Sequence, residues 1–327
     1  MTLPINPLHH RSSASRPRWP VAVLIVVVII IGWYVALGVG VYSGRWHGAK
    51  TERLLRWTPL PVATVGWQPL SYATYLDQRQ AVDHYTKYVQ TSSAGVYQAQ
   101  SAADTSATAL TKMIRLKASE KLLKKLKVAV SVADINQAYT SQLVQNGNAD
   151  QVKATIRQLY GWSPEQFKQQ VIRPAIIRDK LQEKLSFDAS ISAAAKTQAE
   201  KVLGLVKAGQ ETFTDLAKKY SDDVYGANGG DLGFVKQGEQ TKEIDDLAFT
   251  LELNQVSDII HTKYGYHIIK PTERKTVNGV EQVHLLQITI LAPQVDDYLN
   301  TELKKTSVSV FVHGLGWDKQ NSRVKKK

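Results

Sequence analysis

The chain has 327 residues, room for two or three domains, and no cysteine, which excludes disulfide staples, thiolate metal sites and a cysteine nucleophile. Its formal net charge is +12 and its pI about 9.5, yet residues 196–275 hold 11 Lys+Arg against 13 Asp+Glu. The basic excess lies in Lys112–Lys127 and in the closing Arg323–Lys327 run, a distribution that speaks against nucleic acid as a partner and for solvated helix faces with a tail suited to anionic surfaces.

Residues 1–18, bearing Pro, Ser and His, read as a disordered tail. Residues 19–44 contain no charged side chain, and Val23–Ile31 is an unbroken run of Val, Leu and Ile. A bilayer core needs roughly 20 apolar residues as helix, so the stretch reads as a transmembrane helix. A cleaved secretory signal is the alternative, with Ala36, Gly38 and Gly40 as small residues for the cut. Arginines flank both ends, so charge alone does not orient the span.

Beyond the span, Val62–Val65 reads as a short strand, followed by helical patterns over Ser71–Val89 and Ala107–Val128, the latter with Leu110, Met113, Ile114, Leu122, Leu123 and Leu126 on one stripe. Ser131 caps a third helix, which stops at Asn146-Gly147-Asn148. Ser163-Pro164-Glu165-Gln166 starts a fourth, running towards Leu185 with a break or kink at Pro174. The alanine run at 193–195 favours helix. Further on, Asn278-Gly279 separates two apolar runs, the strongest short hairpin signal. After Pro293, Val295–Lys305 reads as helix, Ser307–Val312 as strand and the remainder as polar tail.

Between Ser221 and His267 stand Tyr220-Ser221-Asp222-Asp223, Asn228-Gly229-Gly230-Asp231-Leu232-Gly233-Phe234, Gln237-Gly238, Leu247-Ala248-Phe249 and Tyr264-Gly265-Tyr266-His267-Ile268-Ile269. In this order and at these separations they resemble the parvulin family of peptidyl-prolyl isomerases. Residues 60–187 resemble, more diffusely, the helical chaperone domain of the SurA and PrsA kind of bacterial foldase. The resemblance implies catalysis of rotation about X-Pro bonds, which needs no cofactor and no metal, only an apolar cup with polar groups at its rim. His267 corresponds to the second active-site histidine of that family, Thr262 to a threonine bonded to a histidine, and Asp223 to a rim acid. Leu232, Phe234 and Phe249 would line the cup, while Gln240 and Ile244 stand where the family carries Met or Leu and Phe, implying a shallower, wetter cup.

One departure is larger. Parvulins open with a strand of the form Ser/Arg-His-Ile-Leu-Val, and no such strand precedes the first helix here. Val283-His284-Leu285-Leu286-Gln287-Ile288-Thr289-Ile290 is the closest run, downstream of the Asn278-Gly279 turn. The expectation is a circularly permuted module with His284 beside His267, sharing a network with Thr262 and Asp223. In the alternative, 280–291 is an added edge strand.

The fold class expected is α+β: a transmembrane helix over 19–44, a mainly helical chaperone domain over 45–187, a parvulin-like module of antiparallel sheet and surrounding helices over 188–292, in which 280–291 replaces the usual first strand, and a C-terminal helix, strand and basic tail over 293–327. By resemblance the protein is a single-pass foldase of the cell membrane. The resemblance implies a cytoplasmic amino terminus and a bulk outside, with unfolded or secreted polypeptides bearing X-Pro bonds as the clients. A chaperone or scaffold that binds unfolded segments without isomerase activity is the rival from another class.

Overall fold

The computed structural model describes residues 19–92, 102–145 and 148–327, with all side chains in them except those of 19–26, 91–92, 102–103 and 145. The tail predicted over 1–18 and the helix stop at Asn146-Gly147 lie outside the described residues.

The uncharged stretch forms helix α1 (Trp19–Tyr42). From Val27 to Ile31 its apolar side chains are 44–63% exposed, whereas Leu37 and Val41 are buried in a domain core. The Tyr42 hydroxyl donates to the Pro61 carbonyl at 2.9 Å. The end of the helix is therefore part of the folded domain rather than of a span reaching residue 44. Among the described residues no helix is long and apolar enough to cross a membrane, and the side chains of α1 are described only from Val27 on.

After α2 (Ala49–Leu55), the expected strand is β1 (Pro61–Val65), paired with β2 (Gln68–Ser71). Helices α3 (Tyr72–Ser92), α4 (Ala102–Lys125), α5 (Val132–Gln145) and α6 (Ala149–Tyr160) follow. Ser131 and Asp134 exchange bonds at the start of α5, at 3.1 and 2.7 Å, and Ser163 and Gln166 form a full capping box at α7 (Pro164–Phe167). Pro174 neither stops nor simply kinks the next helix. A π turn at Lys168–Ile172 absorbs the missing N–H, and α8 (Arg173–Phe187) continues.

A second region begins where Asp188 caps α9 (Ala189–Ala208) through the Ser190 amide. It continues through α10 (Phe213–Tyr220), β3 (Asp231–Lys236), α11 (Lys242–Ala248), β4 (Ile260–Thr262), β5 (Gly265–Val277) and β6 (Val280–Leu291). The sheet order is β3-β6-β5-β4. Asn278 (φ 52°) and Gly279 (φ 78°) both take the left-handed conformation, the signature of the two-residue turn their sequence predicts. One sheet face carries Tyr266, Ile268, Ile288 and Ile290 against Val202 and Leu216 of α9 and α10. The other carries Val235, Ile269 and Leu285 against Ile244 and Ala248 of α11.

The chain then returns to the helical domain. Helix α12 (Val295–Lys305) buries Leu303 in the core that holds Leu110 and Ile114 of α4 and Leu181 and Leu185 of α8. Strand β7 (Val308–Val310) pairs with β1, making a sheet of order β2-β1-β7. The residues expected as polar tail instead form a hairpin of β8 (Leu315–Asp318) and β9 (Arg323–Lys326), because Leu315 and Val324 have apolar partners in that same core. Helix α8 ties the two regions together: Gln182 Nε2 donates to the Lys263 carbonyl at 3.1 Å, Ser186 Oγ to that of Thr262 at 2.8 Å, and Asp179 pairs with Lys263 at 2.5 Å.

Candidate active site

The antiparallel register of β5 and β6 sets His267 opposite Thr289. Both are buried, at 5% and 2% exposed, and both lie on the α11 face with Ile269 and Leu285, since strand side chains repeat every second residue. Thr262, from β4, brings its hydroxyl 2.8 Å from His267 Nε2. The loop after α10 continues the β6 ladder: the Asp222 amide donates to the Thr289 carbonyl at 2.8 Å and the Thr289 amide to Ser221 Oγ at 2.9 Å. That lays the Asp223 carboxylate beside Thr289, whose hydroxyl meets Oδ2 at 2.6 Å, with Gln287 Nε2 at 3.2 Å. The amides of Tyr225 and Gly226 hold Oδ1 at 3.1 and 3.0 Å. Gly230 (φ 79°) makes this approach possible, because a Cβ there would sit 2.1 Å from the Gln287 carbonyl oxygen.

The proton directions in this chain follow from what each group can do. A carboxylate only accepts, so Thr289 donates to Asp223 and its oxygen is left to accept. It accepts from Gln287 Nε2 at 2.8 Å and from His267 Nδ1 at 3.3 Å. His267 therefore carries its proton on Nδ1, and Nε2 accepts from Thr262, whose own oxygen takes the Tyr264 amide at 3.2 Å. Burial pushes the His267 pKa down to about 4, outweighing the negative charges of Asp223 and Glu243. At neutral pH the ring is uncharged and holds one proton, as this chain of bonds requires.

Next to the polar chain is an apolar patch. Leu232 and Phe249 are half-buried, packed on a floor of Ile244, Ile260, Ile269 and Leu285. Gly233 (φ 70°) lies in the β3 irregularity between Asp231 and Phe234 that sends Leu232 and Val235 to the same face. Ile244, expected as a cup wall, is 2% exposed and forms the base of the patch instead of its surface. Gln240 is half-buried just ahead of α11.

Two expected site residues do not join this group. His284 is five residues from Thr289 on an unbroken strand, an odd separation, so its side chain emerges on the opposite face from His267. Its backbone partners are Phe234 and Glu273, and its ring takes Thr272 Oγ1 at 2.8 Å and Asp231 at 3.3 Å. Phe234, expected in the cup, goes with it: its ring meets the His284 ring edge-on at 5.0 Å and lies under Lys275 Nζ. Thr289 and Gln287 were missed. The signal for Thr289 was present, because Thr289-Ile290-Leu291 repeats the spacing of His-Ile-Leu with threonine in the histidine position. Among the described residues no cluster of three or more His, Asp or Glu side chains could hold a metal ion.

A half-buried apolar patch beside a neutral histidine, fixed by hydroxyls on a four-stranded antiparallel sheet, is the kind of site that a proline-directed isomerase domain would present. Residues 180–273 match the PPIC-type PPIASE domain. Residues 11–182, more than half of the chain, match the SurA-like N-terminal domain, and the chain belongs to that family. It is 48% identical over 86 residues to foldase protein PrsA of Bacillus subtilis, covering 26% of this chain and 29% of that one. It is 28% identical over 178 residues to foldase protein PrsA 4 of Bacillus cereus, covering 52% of this chain and 62% of the relative. The chain thus spans less than two thirds of the length of these relatives. The crystal structure of PrsA from Bacillus subtilis matches at 30% identity over 52% of this chain and 70% of that one, with a TM-score of 0.23, too low to carry an argument about arrangement.

Proposed function

We propose that the protein is a membrane-tethered extracytoplasmic foldase that isomerises X-Pro bonds of unfolded or secreted polypeptides. The observation that carries this reading is the pairing of a neutral, doubly anchored His267 with the apolar patch of Leu232 and Phe249. A planar amide owes its barrier of about 18–20 kcal/mol to resonance, which also makes it dipolar. Twisting removes that resonance, so a site that takes the bond out of water and grips the proline ring favours the twisted form over the planar one. No charge needs to move, which suits a histidine held uncharged. In this reading Leu232, Phe249 and Gln240 contact the proline, Ile244 supports them from below, and His267, Thr262, Thr289 and Asp223 form the polar floor. His284 and Phe234 have no part in it.

The module is read as circularly permuted, supported by β6 lying between β3 and β5 rather than at an edge. The tether is read as the portion of α1 ahead of Leu37. Eighteen residues at 1.5 Å each give about 27 Å, close to a hydrocarbon core of about 30 Å. Burial of Leu37 and Val41 supports retention of the helix, because cleavage near Gly40 would strip Leu37 from the core. A binding-only chaperone is the second reading, favoured by a threonine standing where the parvulins carry a histidine. A protease-coupled proline-isomerisation assay on the purified protein separates the two: the enzyme reading requires a rate proportional to protein concentration, and an unaccelerated rate leaves only binding.

A further inference from the structure

A groove of about 890 Å³ that shares no lining residue with the His267 network lies between α4, α8, α12 and β9. That is within the usual size range of a ligand cleft, about 300–1,000 Å³. Its floor is apolar, with Leu116, Val295, Leu299 and Val324. Six cations line it, Lys112, Arg115, Arg178, Arg323, Lys325 and Lys326, against two lining carboxylates, Asp104 and Asp296, and a third behind them, Asp318, 3.3 Å from Lys325. Asp296 serves two guanidiniums, Arg115 at 2.7 Å and Arg178 at 2.6 Å. Lys326 pairs with Asp104 at 3.2 Å, and Lys112 lies 5.9 Å over the Trp162 ring. Arg323 is exposed on β9, the strand whose Val324 amide bonds to Thr111 and closes the groove.

We infer that this groove binds an extended client segment in which acidic residues alternate with apolar ones. The inference rests on the foldase reading and names the client chemistry of the helical domain. Apolar side chains would cover the floor while carboxylates meet guanidinium and ammonium groups that outnumber the three acids the protein itself sets against them. Segments of the chain outside the structure lack that complementarity: residues 1–18 carry Arg11, Arg16 and Arg18 and no acid, and 93–101 carry no charge. Helix α8 walls the groove and passes through Asp188 directly into α9 of the isomerase module. A segment held there keeps neighbouring X-Pro bonds of the same chain at high effective concentration near the His267 face.

The test uses the full chain in detergent and a fluorescent 12-residue peptide of alternating Leu and Asp, read by anisotropy. The same peptide with Lys for Asp, and phosphatidylglycerol vesicles, are the comparison probes. The acidic peptide should bind, the basic one should not, and affinity should fall as salt rises. The double variant Lys112→Gln, Arg323→Gln touches two exposed side chains and should weaken the acidic peptide about tenfold. A charge-reversed pair at the same positions should weaken it further, while turnover of a proline tetrapeptide stays unchanged in both. Equal binding of acidic and basic peptides overturns the inference, as does binding indifferent to either variant, or an effect of the variants on vesicles alone. Loss of tetrapeptide turnover in the parent protein would sink the isomerase reading and leave the groove result standing.

Discussion

Replacing Thr289 by valine removes one hydroxyl from the centre of the polar chain and leaves volume, branching and strand preference nearly unchanged. In the parent protein that hydroxyl donates to Asp223 at 2.6 Å and accepts from His267 Nδ1 at 3.3 Å. With valine, His267 keeps a buried N–H with no acceptor, a loss of about 1–3 kcal/mol. Asp223 loses a charge-assisted bond but retains Gln287 and two backbone amides, which offsets part of the second loss. The net destabilisation of the module should be about 2 kcal/mol. No tryptophan lies within residues 188–292, so fluorescence would not report it. Native-state hydrogen exchange at β5 and β6 amides does. Thr289→Ser, which keeps the hydroxyl, should recover most of the protection. The reasoning fails if Thr289→Val changes protection by less than about 0.5 kcal/mol, or if serine and valine behave alike.

The His267 shift has a pH consequence with a definite sign. Its pKa of about 4 in the fold lies below the ordinary 6.5, so between those values the unfolded chain binds a proton that the native state refuses. Stability is full above about pH 6.5 and falls by up to about 3 kcal/mol as pH drops to 4; His267→Gln should lack that slope in urea titrations followed by circular dichroism. Long-range nitrogen-15 spectra should show His267 as the Nδ1–H tautomer, and the opposite tautomer would contradict the proton directions. Gln240→Met should raise the isomerase rate by adding apolar area to the cup, whereas Ile244→Phe should destabilise the module by about 1–3 kcal/mol through overpacking, read as a lower urea midpoint. Truncation before Asn278 removes a central strand and should abolish the exchange protection of β5; a protected β5 would mean that β6 is dispensable.

Local signals were legible wherever short-range chemistry decides structure. Ser131, Ser163 and Asn278-Gly279 produced their caps and turn because each satisfies backbone groups within a few residues. Pairing across β5 and β6 was legible only in outline. A two-residue turn fixes which strands meet, but which residues share a face depends on counting parity, and His284 fails by that count while Thr289 succeeds. Phe234 failed for a related reason, since the irregularity at Gly233 shifts β3 by a residue. The closing hairpin and the burial of Leu37 were not legible, because their partners are distant in sequence, as Thr111 is from Val324, and no local pattern encodes such pairings.

The most direct test of the account is exchange NMR on an X-Pro peptide at substoichiometric protein, run on the parent chain and on Leu232→Asp. The account predicts cis–trans exchange peaks with the parent, and peptide-induced shifts confined to the Leu232, Thr262, His267 and Thr289 face. It also predicts loss of both with Leu232→Asp in a protein that keeps its β5–β6 exchange protection. Exchange that survives in Leu232→Asp, or shifts that centre on Phe234 and His284, would contradict it.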